Sequence, residues 1–173
     1  MTVEQLSASE YNPFYENYIK SVPKEISLGI LFLDNLKEIS ALLEGLDEAK
    51  LSYRYEENKW TIAEVLQHLL DVERIFQFRA LSIARREAQP LQGFDHDAYV
   101  TFSGAENRSL ESIKNEFEIV RKSTSFLFDS FTNEMLKQVG QMNGSSATPR
   151  AIGFIIVGHT KHHLKILRER YSI

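Results

Sequence analysis

Gly158-His159-Thr160-Lys161-His162-His163-Leu164 places three of the chain's five histidines within five consecutive residues. Around it, Ile152, Ile155, Ile156, Ile166 and Leu167 recur at helical spacing and define one apolar stripe at about 100° per residue. His159 and His163 fall beside the centre of that stripe, one on either side, while His162 falls on its flank. Residues at i and i+4 project the same way along a helix. His159 and His163 therefore point together into the interior, where an unpartnered polar group is costly. A metal ion is the leading candidate to hold them there.

The same periodicity recurs three more times. Thr148-Pro149 supplies an N-cap and a first-turn proline for the histidine helix, which runs to about Arg170. Thr61-Ile62-Ala63-Glu64 has the form of a capping box and opens a helix through Leu66, Leu69, Phe76 and Leu81 to about Arg86. On that helix His68 shares a row with Val65, Val72 and Ile75, and Glu73 lies near the apolar centre. Ser109 opens another helix through Leu110, Ile113, Phe117, Val120 and Phe128. Ser21-Val22-Pro23 predicts the start of the first long helix, which carries Ile26, Ile30, Leu33, Leu36 and Ile39 and ends near Gly45. Ahead of it, Tyr11, Phe14, Tyr15, Tyr18 and Ile19 are aromatic enough to pack on the body through a short helical turn. Leu51 to Tyr55 alternates, but an isolated strand has no partner here. Thr132 to Ala147 reads as a connector.

Four amphipathic helices of roughly 20 residues predict an all-α four-helix bundle. His68 lies early in the second helix, whereas His159 and His163 lie in the later half of the fourth. They reach one level when those two helices run antiparallel. The aperiodic stretch Ala88–Arg108 is long enough to be a crossover, so the expected order is up-down-down-up.

With 173 residues, 43% hydrophobic and 25% charged, the chain is expected to form one domain, residues 1–173, with a substantial core. A net charge of −4 provides no basic field for nucleic acid or an anionic membrane. There are no cysteines, so disulfides, thiolate ligands and a cysteine nucleophile are excluded. No basic and apolar leader and no run of about 18 apolar residues is found, and a cytoplasmic protein is expected.

Three neutral imidazoles from two helices, His68, His159 and His163, form a ligand set for Zn²⁺, Ni²⁺, Fe²⁺ or Mn²⁺. Three protein ligands leave a position open for water or substrate. The alternative is that His159 and His163 are core histidines satisfied by hydrogen bonds. Glu73 is a candidate base beside the metal; its alternative is a buried carboxylate paired with an arginine such as Arg121 or Arg79. His162 is read as solvent-facing in preference to a lip of the pocket. Asp95-His96-Asp97 either closes over the site or forms a polar turn.

Two longer strings carry a family resemblance. Trp60-Thr61-Ile62-Ala63-Glu64-Val65-Leu66-Gln67-His68-Leu69-Leu70-Asp71-Val72-Glu73 resembles the second-helix signature of DinB/YfiT-like proteins, the damage-inducible metal-binding bundles rather than the like-named polymerase. Ile156-Val157-Gly158-His159-Thr160-Lys161-His162-His163-Leu164, continuing to Tyr171, resembles the fourth-helix signature. Arg79 to Arg86 and Gly93-Phe94-Asp95 are also similar. The resemblance implies an up-down-down-up bundle with a divalent metal on His68, His159 and His163. It implies relatives that act as metal-dependent hydrolases or as transferases using low-molecular-weight thiols.

Two functions follow as expectations. The first is a metal-dependent enzyme acting on a small molecule, in which the cation brings a water's pKa to about 7 or deprotonates a substrate thiol. The second is a non-catalytic metal-binding stress or interaction protein in which the metal is structural. A homodimer is compatible with the resemblance and with the aromatic N-terminal segment.

Overall fold

The computed structural model describes residues 1–173. After short 3-10 turns at Val3–Gln5, Ala8–Glu10 and Pro13–Tyr15 come α1 (Glu16–Lys20) and α2 (Leu28–Glu44). A 3-10 turn at Glu48–Ser52 precedes α3 (Ile62–Ala84), and α4 (His96–Thr101) lies within the long connection to α5 (Leu110–Asp129). Then follow α6 (Asn133–Lys137), the strands β1 (Gly140–Met142) and β2 (Ser145–Ala147), and α7 (Pro149–Arg170). The chain is thus mostly helical, with α2, α3, α5 and α7 as the long elements.

The helix starts form where their capping residues stand. Thr61 accepts from Glu64 N at 3.2 Å while Glu64 Oε2 accepts from Thr61 N at 2.6 Å, the reciprocal capping box. Ser109 accepts from Ser112 N, and Thr148 from Ala151 N with Pro149 in the first turn. The first long helix differs from expectation. It begins at Leu28 after an extended Ser27, and Pro23 lies in the preceding turn. Ile26 packs on the core from that turn. The alternating Leu51–Tyr55 stretch is also not extended throughout: Asp47 caps a 3-10 turn over its first residues.

The hairpin is a further departure. Gly140 pairs with Ala147 and Met142 with Ser145, joined by Asn143-Gly144, both with positive φ (48° and 73°). Two left-handed residues suit the twist of a tight hairpin, and Asn-Gly is a favoured pair for it. The long connection between α3 and α5 is pinned to this hairpin: Leu91 N donates to Gln141 O at 2.9 Å and Asn143 N to Leu91 O at 2.8 Å.

Contacts of α3 with α5 and the residue just before its cap advance together: Gln67 with Arg108, Arg74 with Glu116, and Gln77 with Thr124. Those between α2 and α7 do too, from Leu28 against Gly153 to Glu38 against Lys161 and Arg168. The buried apolar residues form two clusters. One joins the N-terminal segment, the start of α2, the later half of α3 and the early part of α7. The other joins the end of α2, the early half of α3, much of α5 and the end of α7.

Between the clusters lies a stratum of buried polar side chains: Asn35, Glu73, Arg121, Thr124 and Thr160; His68 and His159 are buried as well. Arg121, 1% exposed, donates to both carboxylate oxygens of Glu73 at 2.8 and 2.9 Å and to Asn35 Oδ1 at 2.8 Å. Thr124 donates to Glu73 Oε1 at 2.6 Å. A buried carboxylate is tolerable only with such partners.

Candidate metal centre

Two helices deliver the histidines, and their local chemistry sets the phase. The capping box fixes the first turn of α3 at Ile62, which turns His68 inward between Val65 and Val72. The start of α7 is held as well: Thr148 and Arg150 both donate to Glu10 Oε2, at 2.8 and 2.6 Å, tying the N-terminal segment to it. From Ala151 to Thr160 every residue of α7 is buried. Gly158 is required there, because the Tyr18 carbonyl lies against its Cα and a Cβ would overlap it.

His68 Nε2 and His159 Nε2 are 3.1 Å apart. The rings of His159 and His163 have centroids 4.6 Å apart, and those of His68 and His163 4.9 Å. One nitrogen from each of the three lies within 4.8 Å of the others. The His163 Nδ1 is buried without a hydrogen-bond partner. Burial holds the His68 imidazole down to about 4 and His163 down to about 3, with the neighbouring histidines adding to the effect. Burial also lowers His159 well below 6.5, again reinforced by its histidine neighbours. All three are therefore neutral near pH 7, the form that offers a lone pair to a cation. Converging neutral imidazoles and an orphaned buried nitrogen fit a divalent metal.

The cluster opens into a cavity of about 400 Å³. Trp60 packs on His68 with centroids 4.8 Å apart, and Tyr18 packs edge-on against His159 and His162. His162 is exposed and also lines the cavity, so it stands at the lip as well as in solvent. Of the Asp95-His96-Asp97 run only His96 lines the cavity, whereas Asp95 caps α4. Glu73, the candidate base, does not line it; its carboxylate is engaged by Arg121 and Thr124. Three more residues complete the wall: Arg79 and Phe94 fall in the strings that carry the family resemblance, and Asn143 in the stretch read as a connector. Arg79, Phe94 and Asn143 come from the later part of α3, the connection between α3 and α5, and the hairpin turn. The Asn143-Gly144 pair was the available sequence signal for the last of these.

The model of the DinB superfamily matches residues 31–167. This chain belongs to the DinB superfamily. The matched span of this DinB-superfamily protein contains all three histidines and leaves out Phe14, Tyr15 and Tyr18, which line the same cavity. No curated protein matches it by sequence. Among solved structures it is similar to YfiT from Bacillus subtilis, with a TM-score of 0.72 and 17% identity over 94% of each chain. That protein is described as a probable metal-dependent hydrolase with an unusual four-helix bundle topology. At this identity the likeness is one of fold.

Proposed function

We propose that this DinB-superfamily chain is a metal-dependent enzyme in which His68, His159 and His163 hold a divalent cation, Zn²⁺, Ni²⁺, Fe²⁺ or Mn²⁺. The observation that carries the reading is the convergence of three neutral imidazoles, within 4.8 Å of one another, at the wall of a cavity with room for a small molecule. Three protein ligands leave a coordination position free, the pattern of catalytic rather than structural zinc sites. Bound there, the cation would supply Lewis acidity that activates a water or a thiol for nucleophilic attack.

The chain's own residues do the rest. Packing against Trp60 and Tyr18 fixes the planes of His68 and His159, and the aromatic walls limit water. Hydrolysis of a small molecule is the reaction placed first, because the structural relative is described as a hydrolase; thiol transfer draws on the same activation. The reading takes residues 1–173 as one bundle domain in up-down-down-up order, with residues 85–109 as the crossover. In-step contacts of α3 with α5 and of α2 with α7 support that order, as does the meeting of Trp60 with Tyr171 at 2.6 Å, beyond His68 and His163.

Elemental analysis of the purified protein beside His159→Ala tests the site. The wild type is expected to carry about one equivalent of metal, consistent with a single three-ligand site, and the variant to lose it. Equal metal content in both overturns the assignment. Absence of turnover by the Zn-, Ni-, Mn- and Fe-loaded protein across hydrolase and thiol-conjugation panels overturns the enzymatic half.

A further inference from the structure

The cavity contains one charged feature besides the neutral histidine cluster. Arg79 is 3% exposed and lines the cavity at the end away from the start of α3. No carboxylate lies within ion-pair distance of it: every other partnered arginine and lysine near the core has its acid, and Glu73 is taken by Arg121. None of the residues lining the cavity is an aspartate or glutamate. What Arg79 does have is the Gln92 carbonyl at 2.8 Å, the Tyr15 hydroxyl beside it, and the faces of Phe76 and Phe94 at 5.6 and 5.5 Å. Those contacts orient a guanidinium without neutralising it.

A buried charge without a counter-ion is expensive to maintain. Arginine does not escape by losing its proton, because its ordinary pKa is so high. Such a group beside a reactive centre is expected to meet its counter-charge in a ligand. The geometry is linear. His68, Val72, Phe76 and Arg79 follow one another at i, i+4, i+8 and i+11, one face of α3 about three turns long. Long side chains lean toward the N-terminus of their helix, so Arg79 leans back toward the histidines over an apolar Val72–Phe76 stretch.

We propose that Arg79 is the specificity residue of this cavity and receives the carboxylate of a small substrate. Its apolar body lies over Val72 and Phe76 and its reacting group reaches the histidine cluster. One guanidinium matches one planar monoanion, which it can grip through two parallel N–H···O bonds. The proposal rests on the cavity being the substrate site of the metal-dependent reading, and it names the class of molecule that site takes.

Trp60, the chain's single tryptophan, lines the cavity, so its fluorescence reports occupancy directly. Hydrocinnamate and its neutral isostere hydrocinnamamide are titrated into the Zn-loaded and the chelator-treated protein, with Arg79→Gln and Arg79→Met alongside. Wild type is expected to prefer the carboxylate by about tenfold to a hundredfold, the range for a charge-assisted hydrogen-bonded pair. Both variants are expected to lose that preference while keeping the affinity for the amide. Arg79→Met replaces the guanidinium with an apolar chain and removes an uncompensated buried charge, so it is expected to fold even where the glutamine variant does not. Absence of a preference in the wild type, or its persistence in a folded variant, overturns the proposal. A preference seen only with Zn²⁺ and indifferent to Arg79 does so too, since the carboxylate is then on the cation. Metal content is measured on the same samples. A metal-free wild type with an Arg79-dependent preference fails the metal reading alone, and a metal-bound one without the preference fails this proposal alone.

Discussion

Replacing Arg121 by methionine is expected to be among the most damaging single changes in the chain, because of what it leaves behind. Arg121 satisfies both oxygens of Glu73, the Asn35 Oδ1 and the Phe32 carbonyl from a position 1% exposed. Methionine fills much of the volume but strands Glu73, 4% exposed, with Thr124 as its remaining partner. Breaking one side of a buried pair typically costs about 3–5 kcal/mol, and for a chain of this size that lowers Tm by about 6–20 °C. Adding Glu73→Leu removes the stranded charge. The double variant should recover most of the loss and fall short of wild type by about 1–3 kcal/mol, because Asn35 Oδ1 still lacks its donor. Differential scanning calorimetry of wild type, both single variants and the double variant measures this. A double variant no more stable than Arg121→Met alone would refute the reasoning. Glu73→Gln extends the test to function: as half of a buried pair it should lose stability while keeping its metal, since Glu73 does not border the cavity.

Acid is expected to weaken the metal-free protein. In the unfolded chain the three histidines titrate near 6.5, whereas burial holds folded His68 at about 4 and His163 at about 3. Between those values the unfolded state binds protons that the folded state refuses. Their contribution is therefore fully present above the unfolded pKa and is lost as pH falls through the folded ones. Urea melts at about pH 7 and about pH 5 should show a lower midpoint in acid, and His68→Gln/His163→Gln should flatten the difference. Equal midpoints in the wild type would contradict the burial argument. Gly158→Ala should push the Tyr18 carbonyl off α7 and destabilise by about 1–3 kcal/mol, the usual cost of overpacking. Because Tyr18 packs on His159 and His162, the same variant should also change Trp60 fluorescence. An unaltered Tm and spectrum would show that the N-terminal segment moves freely there.

The sequence by itself determined what depends on local phase. The capping residues Thr61, Ser109 and Thr148 start their helices where hydrogen bonds to the first turn require them. The 3.6-residue period separates His159 and His163, which face the cluster, from His162 on the flank, because a face is a property of one helix. Asn143-Gly144 was equally local and readable as a hairpin turn. The start of α2 lies beyond the residues Pro23 predicts, because proline can begin a helix or sit ahead of one, and Val22 and Ile26 pack on the core from the segment before it. Only the tertiary structure decided which charges meet. Arg121 and Arg79 were equivalent partners for Glu73 until the helices were placed side by side. Depth along α5 put Arg121 in the polar stratum between the two apolar clusters, and the guanidinium there took the carboxylate. Arg79 remains in the cavity without one, among walls from the N-terminal segment, the α3–α5 connection and the hairpin. Such pairings depend on distances between segments far apart in the chain, and no periodicity within one segment encodes them.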